Sequence, residues 1–594
     1  MIHHARWGTL SAIKSRLTIS SEASAPVPLG RMDTLPVGLL AILCIVLHGE
    51  ILNQWWPHED GIHLFFAIGR EPLELLFRPE IWQQLSSAGF YPFLPLSFRL
   101  DVALAGLSPR FAYGHQLLSL FVAATLFYFF IRGFADRVIS TAASAALVAM
   151  PLTALLVRQG MVRNYIEGLL FSCAALLLWR RKTRGAIAVA AALWIAAALC
   201  KEAWLLLPLI MAADSVARGE RLRDIGRRAL PLVAAAAIYI PWRTWMLGSS
   251  GGYRSFPSLA SLSELPSVFW YVMTLSTPAF WAKVWGLSLI FLGGAAVLLF
   301  RWRGGVVAAL SLTAAAAPFV PISDLFFARY GFVMSVVILG LAAAVSARIS
   351  RPIAWVVISA ILIAAVTGGY NVARSETHVS GIMAVIGKYI FYAPQEAPPL
   401  LAPTYGPHVE GIIALRRLLG RGEPPRVFLS EWPFILEDDL PAEIATVDVS
   451  GPRIVKKPTA HYVESTREAA ERYRPNDPLT VEMSREETMA RWKLGPPGAQ
   501  RWNWVTWPLY EVRGIEEEGW LRQLRTHVIP EWPTEGLRIR RIAVDGTWTV
   551  SPVFRDEIGT TKWSRDPSAE SIGGSHTTTG LVSDRPDILS GGSE

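Results

Sequence analysis

Apolar and polar positions divide the 594 residues into two regimes. Up to about residue 370, runs rich in Ala, Leu, Val and Ile are separated by short loops; beyond it the chain becomes charged and Pro-rich. A helix needs about 20 apolar residues to cross a bilayer, and about eleven runs approach that length. They lie near 35–52, 113–132, 138–157, 165–179, 186–200, 203–216, 229–247, 283–300, 305–321, 328–347 and 353–369. The fifth and sixth are short for full crossings and read as tilted or broken. The pattern predicts a polytopic α-helical membrane protein with a soluble C-terminal domain. Arg6, Lys14 and Arg16 precede the first run, but no small-residue cleavage pattern follows it, so it reads as an uncleaved span.

Basic clusters orient these runs. Arg132 and Arg137, the RRKTR run at 180–184, the RGERLRDIGRR run at 218–228, RWR at 301–303, and Arg348 with Arg351 alternate with nearly uncharged turns. Basic loops stay cytoplasmic, which places the N-terminal segment 1–34 inside. An odd number of spans within 35–370 then delivers the C-terminus outside. Residues 53–112 become the first large extracytoplasmic loop. The same side collects Arg158, Arg163, Lys201, Glu202, Arg243, Arg254, Asp324 and Arg329. Ionisable groups at membrane depth are costly, and they tend to face a cavity or a partner.

An extracytoplasmic α+β domain is expected over 371–556. Its signals are strands at 426–430 and 443–449, a hairpin turned at Asp545–Gly546, and capping boxes at Ser465–Glu468 and Ser484–Glu487 that announce helices. The Ser-, Gly- and Thr-rich tail, 557–594, is expected to be disordered.

Hydrophobic residues make up 52% of the chain and charged residues 18%, which excludes an ordinary soluble protein of this size. The net charge of +8 is explained by orienting loops and calls for no nucleic-acid partner. Cys44, Cys173 and Cys200 all lie in apolar runs, so the soluble region has no disulfide, and no Cys/His spacing points to zinc.

The stretch NQWWPHEDGIHLFF, residues 53–66, sets Glu59 and Asp60 side by side where the chain leaves the first span. Adjacent carboxylates in a partly dry site push one pKa upward, as a catalytic base requires. The structural alternative is a pair of solvated acids at a helix start. Trp55 and Trp56 read first as interface anchors. His58, Glu59, Asp60 and His63 raise a metal reading. The histidines stand five apart, not the four that puts two ligands on one helix face, and no metal or other cofactor is expected.

The order of features resembles the GT-C glycosyltransferases, nearest to the protein O-mannosyltransferase-like branch. The likeness is carried by Glu59–Asp60 in the first outer loop; by FYPFLPLSFRLDVALAGLSPRFAYGHQLLSL, residues 90–120, with Gly106 and His115; by CKEAWLLLPL with Lys201–Glu202; and by YIPWRTWMLGSSGGY and FFARYGFVMSVVILG. It covers a little over half the chain. The acidic motif is Glu-Asp where Asp-Asp or Asp-Glu is commoner, and no tetratricopeptide repeat follows.

The resemblance implies an enzyme that moves a sugar from a polyprenyl-phosphate carrier to an acceptor hydroxyl in one inverting displacement. Asp60, with Glu59 beside it, is then the base. Arg329 and Lys201 lead the candidates for the donor phosphate, followed by Arg163, Arg158 and Arg243. Glu202, His115 and His58 would serve the acceptor or support the site. Arg158 and Arg243 read first as snorkelling side chains at span ends, and Lys201–Glu202 equally as a simple ion pair. The acceptor is an envelope protein, a glycan or a lipid. The Ala-, Arg- and Leu-rich spans point to a bacterial inner membrane. A flippase for lipid-linked sugars and a non-catalytic protein on a transferase scaffold are the competing readings. The first should show mid-span charges and inverted repeats, which the sequence lacks.

Overall fold

The computed structural model describes residues 33–248 except 58–59 and 86–88, then 301–318, 328–402, 406–428, 441–448 and 450–460. Beyond 460 it describes strands alone, within 479–563. The chain divides into two compact units, Met1–Ala384 and Val385–Glu594.

In the first unit, α1 (Thr34–His48) leads to a short-helix region: α2 (Asp60–Gly69), α3 (Pro72–Phe77), α4 (Pro79–Leu85) and α5 (Phe93–Ala105). Long helices follow: α6 (Pro109–Arg132), α7 (Arg137–Ala149), α8 (Pro151–Arg158), α9 (Asn164–Trp179), α10 (Arg184–Cys200), α11 (Leu207–Ala217) and α12 (Leu222–Leu247). After 300 come α13 (Arg301–Ala316), α14 (Gly331–Ser346) and α15 (Arg351–Tyr392).

Among the described residues, five helices are long and apolar enough to cross a membrane, or six if the bent pair α7–α8 is one span. The chain is a multi-pass membrane protein. The sequence anticipated about eleven crossings. The remaining runs form shorter helices, among them α10, α11, α13 and α14, while the run at 283–300 lies outside the described residues.

The bend between α7 and α8 is 48°, and its cause is Pro151. Proline has no N–H to offer the carbonyl four residues back. That carbonyl, Leu147 O, accepts instead from the Thr153 hydroxyl at 2.6 Å. Hydrocarbon leaves no water to do so, hence the side-chain substitute. At Gly369, α15 passes so close to this break that a Cβ would collide with the Ala149 carbonyl.

The bundle has two polar ends. At one, Asp33 before α1 accepts from the Tyr128 hydroxyl at 2.7 Å and from Arg137 Nε at 3.2 Å. At the other, His48 at the end of α1 bonds the Val148 carbonyl through Nε2 at 3.0 Å and meets Arg158 through Nδ1 at 3.2 Å. Between these ends lies an apolar core of α1, α6, α7, α8, α9, α14 and α15 side chains, including Leu120, Phe127, Leu147, Ile166, Phe332 and Ile361. Arg132 and Arg137 of the sequence's basic clusters lie at the Asp33 end, and Arg180 joins them through the Phe130 carbonyl. The three cysteines are free and buried.

The helix expected to end near 369 continues to Tyr392. Apolarity ends where lipid would end, but nothing breaks the helix until Pro394 approaches. In the second unit, β1 (Leu400–Leu401) runs parallel to β2 (Val427–Phe428) and β3 (Glu443–Asp448), and β4 (Arg453–Pro458) closes the order β2-β1-β3-β4 antiparallel to β3. α16 (Gly406–Leu418) follows β1. Its buried Arg416 donates to the carbonyls of Ile390, at 2.8 Å, and Ala393, at 2.6 Å, capping the end of α15.

Further on, β5 (Leu479–Glu486), β6 (Met489–Leu494), β7 (Leu509–Gly514), β8 (Leu521–Gln523), β9 (Thr526–Ile529), β10 (Leu537–Ile542), β11 (Trp548–Val550) and β12 (Gly559–Trp563) form two antiparallel sheets, ordered β11-β10-β7-β8 and β12-β5-β6-β9. The hairpin anticipated at 545–546 has its arms in β10 and β11. Two expectations are corrected. Ser484 does not cap a helix: it lies in β5, where LTVEMS alternates apolar and polar and the period of two outweighs a local capping signal. The tail from 557 begins with a strand, β12, which pairs with β5. The box at Ser465–Glu468 lies outside the described residues.

Candidate functional site

The buried face of α2 carries Asp60, His63, Leu64 and Ala67, the spacing of one helix side. Asp60 opens the helix and is fully buried. Its Oδ2 accepts from the Tyr113 hydroxyl at 3.1 Å. Behind it passes the turn Gly160–Val162: a Cβ on Gly160 would lie 2.9–3.1 Å from the carboxylate atoms. The acid therefore occupies the space that a side chain at 160 would fill. Trp56 packs edge-on against Phe98 at 6.0 Å and tilted on Tyr113 at 6.3 Å. Trp56 thus walls the site, and neither it nor Trp55, both buried, is a lipid anchor.

Beside this acid lies a second carboxylate that was not anticipated from the sequence. Asp101, on the buried stripe of α5 with Leu94 and Phe98, accepts from Arg163 Nη1 at 2.5 Å and pairs with His115 Nδ1 at 2.7 Å. Burial pushes its carboxyl up, but the hydrogen bond from His115 and the charge and bond of Arg163 outweigh that and hold it below the usual range. Arg163 also lies 3.9 Å over the Phe98 ring and 3.8 Å from Glu167, which Ser97 bonds at 2.5 Å. The signal for Asp101 was present: a lone acid on an otherwise apolar helix stripe.

One turn after Asp60, about 5 Å along the helix, the His63 ring stacks on Phe98 and meets Tyr91 edge-on. Burial drives its pKa down to about 3, and the charges of Lys201, Arg163 and Arg329 act in the same direction. Three cations anticipated from the sequence therefore gather around a ring on the helix that carries Asp60.

Lys201 sits at the end of α10 among three tyrosines, its Nζ 4.6 Å from the ring centre of Tyr91, 5.5 Å from Tyr165 and 5.9 Å from Tyr330. Rings of this kind hold a cation by their faces. Burial, then the charge of Arg329, lowers its pKa to about 8, which Glu202 partly offsets. Arg329 lies in the turn Ala328–Tyr330 that opens α14.

Other anticipated residues have different employment. Glu202 does not pair with Lys201; it takes Arg243 through Nε at 2.5 Å and Nη2 at 2.8 Å, and accepts from the Phe90 N–H at 2.8 Å. Arg243 is thereby a strut between α12 and the α10–α11 turn, not a snorkelling side chain. Arg158 is wholly buried, bonded to Thr377 at 2.9 Å, to His48, to the Ala154 carbonyl at 3.1 Å and to Glu50. Glu59, His58, Arg254 and Asp324 lie outside the described residues. Among the described residues no group of three or more His, Cys, Asp or Glu side chains is arranged to hold a metal ion.

The fold and site define a polytopic helical membrane protein with a buried acid and a cation cluster joined by one helix. No family model matches the sequence, and no curated protein matches it. Among solved structures, the chain is similar to ArnT from Cupriavidus metallidurans bound to undecaprenyl phosphate, at 14% identity and a TM-score of 0.42 over 70% of this chain and 93% of that one. It is similar also to the Archaeoglobus fulgidus oligosaccharyltransferase tethered with an acceptor peptide, at 13% identity and a TM-score of 0.42 over 87% of this chain and 77% of that one. Likeness this distant carries no argument about activity.

Proposed function

We propose that this protein is a membrane glycosyltransferase that transfers a sugar from a polyprenyl-phosphate carrier to an acceptor hydroxyl. The observation that supports it most is the α2 face: Asp60 at its first position, and His63 one turn on under the charges of Lys201, Arg163 and Arg329. In the reaction, the acceptor oxygen forms a bond to the anomeric carbon while Asp60 takes its proton. The bond from that carbon to the phosphate oxygen breaks, and polyprenyl phosphate leaves with the electron pair. Lys201 and Arg329 face the charge that builds on that phosphate. Arg163, anchored on Asp101, positions the ring between acid and cations. Glu59 stands next to the base in sequence, and His115 supports the site through Asp101. In this reading protein cations supply the charge, and the chelator arm of the test below decides whether a divalent metal takes part.

This reading puts the site on the extracytoplasmic face of a bacterial inner membrane, with an envelope protein, glycan or lipid as acceptor. The test is donor consumption: the purified protein in nanodiscs, a panel of polyprenyl-phosphate sugars, an envelope extract as acceptor, and chelator in half the samples. Release of polyprenyl phosphate, chelator-resistant and about 10²–10⁴-fold slower in Asp60→Asn, supports the proposal. Equal release from the variant removes Asp60 as base, and, in sealed proteoliposomes, donor that crosses the bilayer unconsumed makes the protein a flippase.

A further inference from the structure

About 24 Å from the site, one length of α9 away, the opposite end of the bundle holds a cluster with a different character. Residues 180–184 and 214–228 contain nine Arg and Lys against Asp214, Glu220 and Asp224. Part of this charge is locked into a base. Arg180 is bidentate on Asp214, at 2.7 and 3.2 Å, and donates to the Phe130 carbonyl at 2.7 Å. Arg228 bonds Glu220 at 2.7 Å and lies 4.1 Å over Trp179, whose indole N–H is held by Ser215. Arg218 reaches Asp214 at 2.9 Å and Lys182 reaches Glu220 at 3.3 Å. Buried Asp214 and half-buried Glu220 are thus each paired with cations of this cluster.

The surplus stands on top. Arg221, just before α12, and Arg223 and Arg227, on its first two turns, are exposed, and none of them has an ion pair with a described residue. Arg223 and Arg227 are four apart, so two like charges share one helix face, and Asp224, exposed beside them, balances at most one of the three arginines. Interleaved with them, Leu222, Leu230 and Val233 are 76%, 63% and 61% exposed. They start an apolar stripe that continues along α12 through Ile238, Ile240 and Trp245. In a multi-pass protein such a stripe meets lipid, so its beginning marks the edge of the hydrocarbon. The unpaired guanidinium groups therefore lie at headgroup level.

We infer that the first two turns of α12 form a binding site for an anionic glycerophospholipid, its phosphate on Arg221, Arg223 and Arg227 and its acyl chains along the Leu222–Leu230–Val233 stripe. A neutral lipid satisfies the stripe but not the charge, and free phosphate satisfies the charge but not the stripe. The inference rests on the membrane reading of the chain and not on its chemistry as a transferase.

The test uses the delipidated full-length protein in detergent, with phosphatidylglycerol, phosphatidylcholine or inorganic phosphate added, followed by native mass spectrometry and thermal melting. Phosphatidylglycerol should be retained and should raise the melting temperature, while phosphatidylcholine and phosphate at equal concentration do neither. Near a membrane surface each arginine strengthens such binding about fivefold, so R221S/R223S/R227S should bind about hundredfold more weakly. Arg223→Ser alone, which leaves the locked base untouched, should bind about fivefold more weakly, and Arg110→Ser, an exposed arginine opening α6, should bind as wild type. Equal retention of the two lipids, an equal rise with phosphate, or undiminished retention by both serine variants overturns the inference.

Discussion

Gly160 and Asp60 share a volume sized for one carboxylate. Gly160→Ala puts a methyl group within 3.1 Å of that carboxylate. Transfer is therefore expected to fall at least about tenfold while overall stability changes by about 1 kcal/mol, measured as initial rate beside thermal melting. His63 makes a second residue-scale prediction. Its pKa falls from 6.5 to about 3 on folding. The unfolded chain thus takes a proton below pH 6.5 that the folded chain refuses until about 3. Across that window each falling pH unit costs about 1.4 kcal/mol. The full stabilisation is present above 6.5, and His63→Leu should flatten the decline of stability between pH 6.5 and 4. At this scale the sequence singled out Asp60 as a carboxylate after an apolar run, with a solvated helix-start acid as the alternative, and the fold buries it. It showed Asp101 only as a lone acid on an apolar stripe, and it hid the tyrosines around Lys201, since aromatics scattered from 91 to 330 become a site only through packing.

Among elements, the Arg158 clasp matters most. Its guanidinium joins the ends of α1 and α8 to α15 through His48, Glu50 and Thr377, and Gln159 adds a bond to Glu376 at 3.0 Å. The residue after Gln159 is Gly160, so the clasp also fixes the wall behind Asp60. Arg158 is buried while its partner Glu50 is half exposed, so its loss removes hydrogen bonds without stranding a buried charge. Arg158→Met is expected to cost about 2 kcal/mol in a denaturant titration in mixed micelles, and Thr377→Val about 1 kcal/mol. Sequence pattern disclosed the helices well, since 3.6-residue apolar runs dominate them. It failed where two local signals competed, as at Ser484, where strand alternation prevailed over a capping box. It also took Arg158 for a snorkelling side chain, because snorkelling and burial differ only in what lies opposite.

For the whole molecule, the sidedness of charge could be read as an expectation because each basic loop is local, and the structure gathers Arg132, Arg137 and Arg180 at one end of the bundle. The end of the long helix α15 was not: its polar half carries no hydrophobic signal, and a helix persists until something stops it. One end of this bundle collects the acid and its cations; the other collects surplus arginine. Under the proposed function, the first end is where a lipid-linked sugar is cleaved.

Mass spectrometry of lipids that co-purify with wild type and with Asp60→Asn tests this claim most directly, because it needs no knowledge of the acceptor. Polyprenyl phosphate is expected on the wild type and the intact polyprenyl-phosphate sugar on the variant, both lost in Lys201→Ala. Bulk phospholipid alone on all three proteins would contradict the claim.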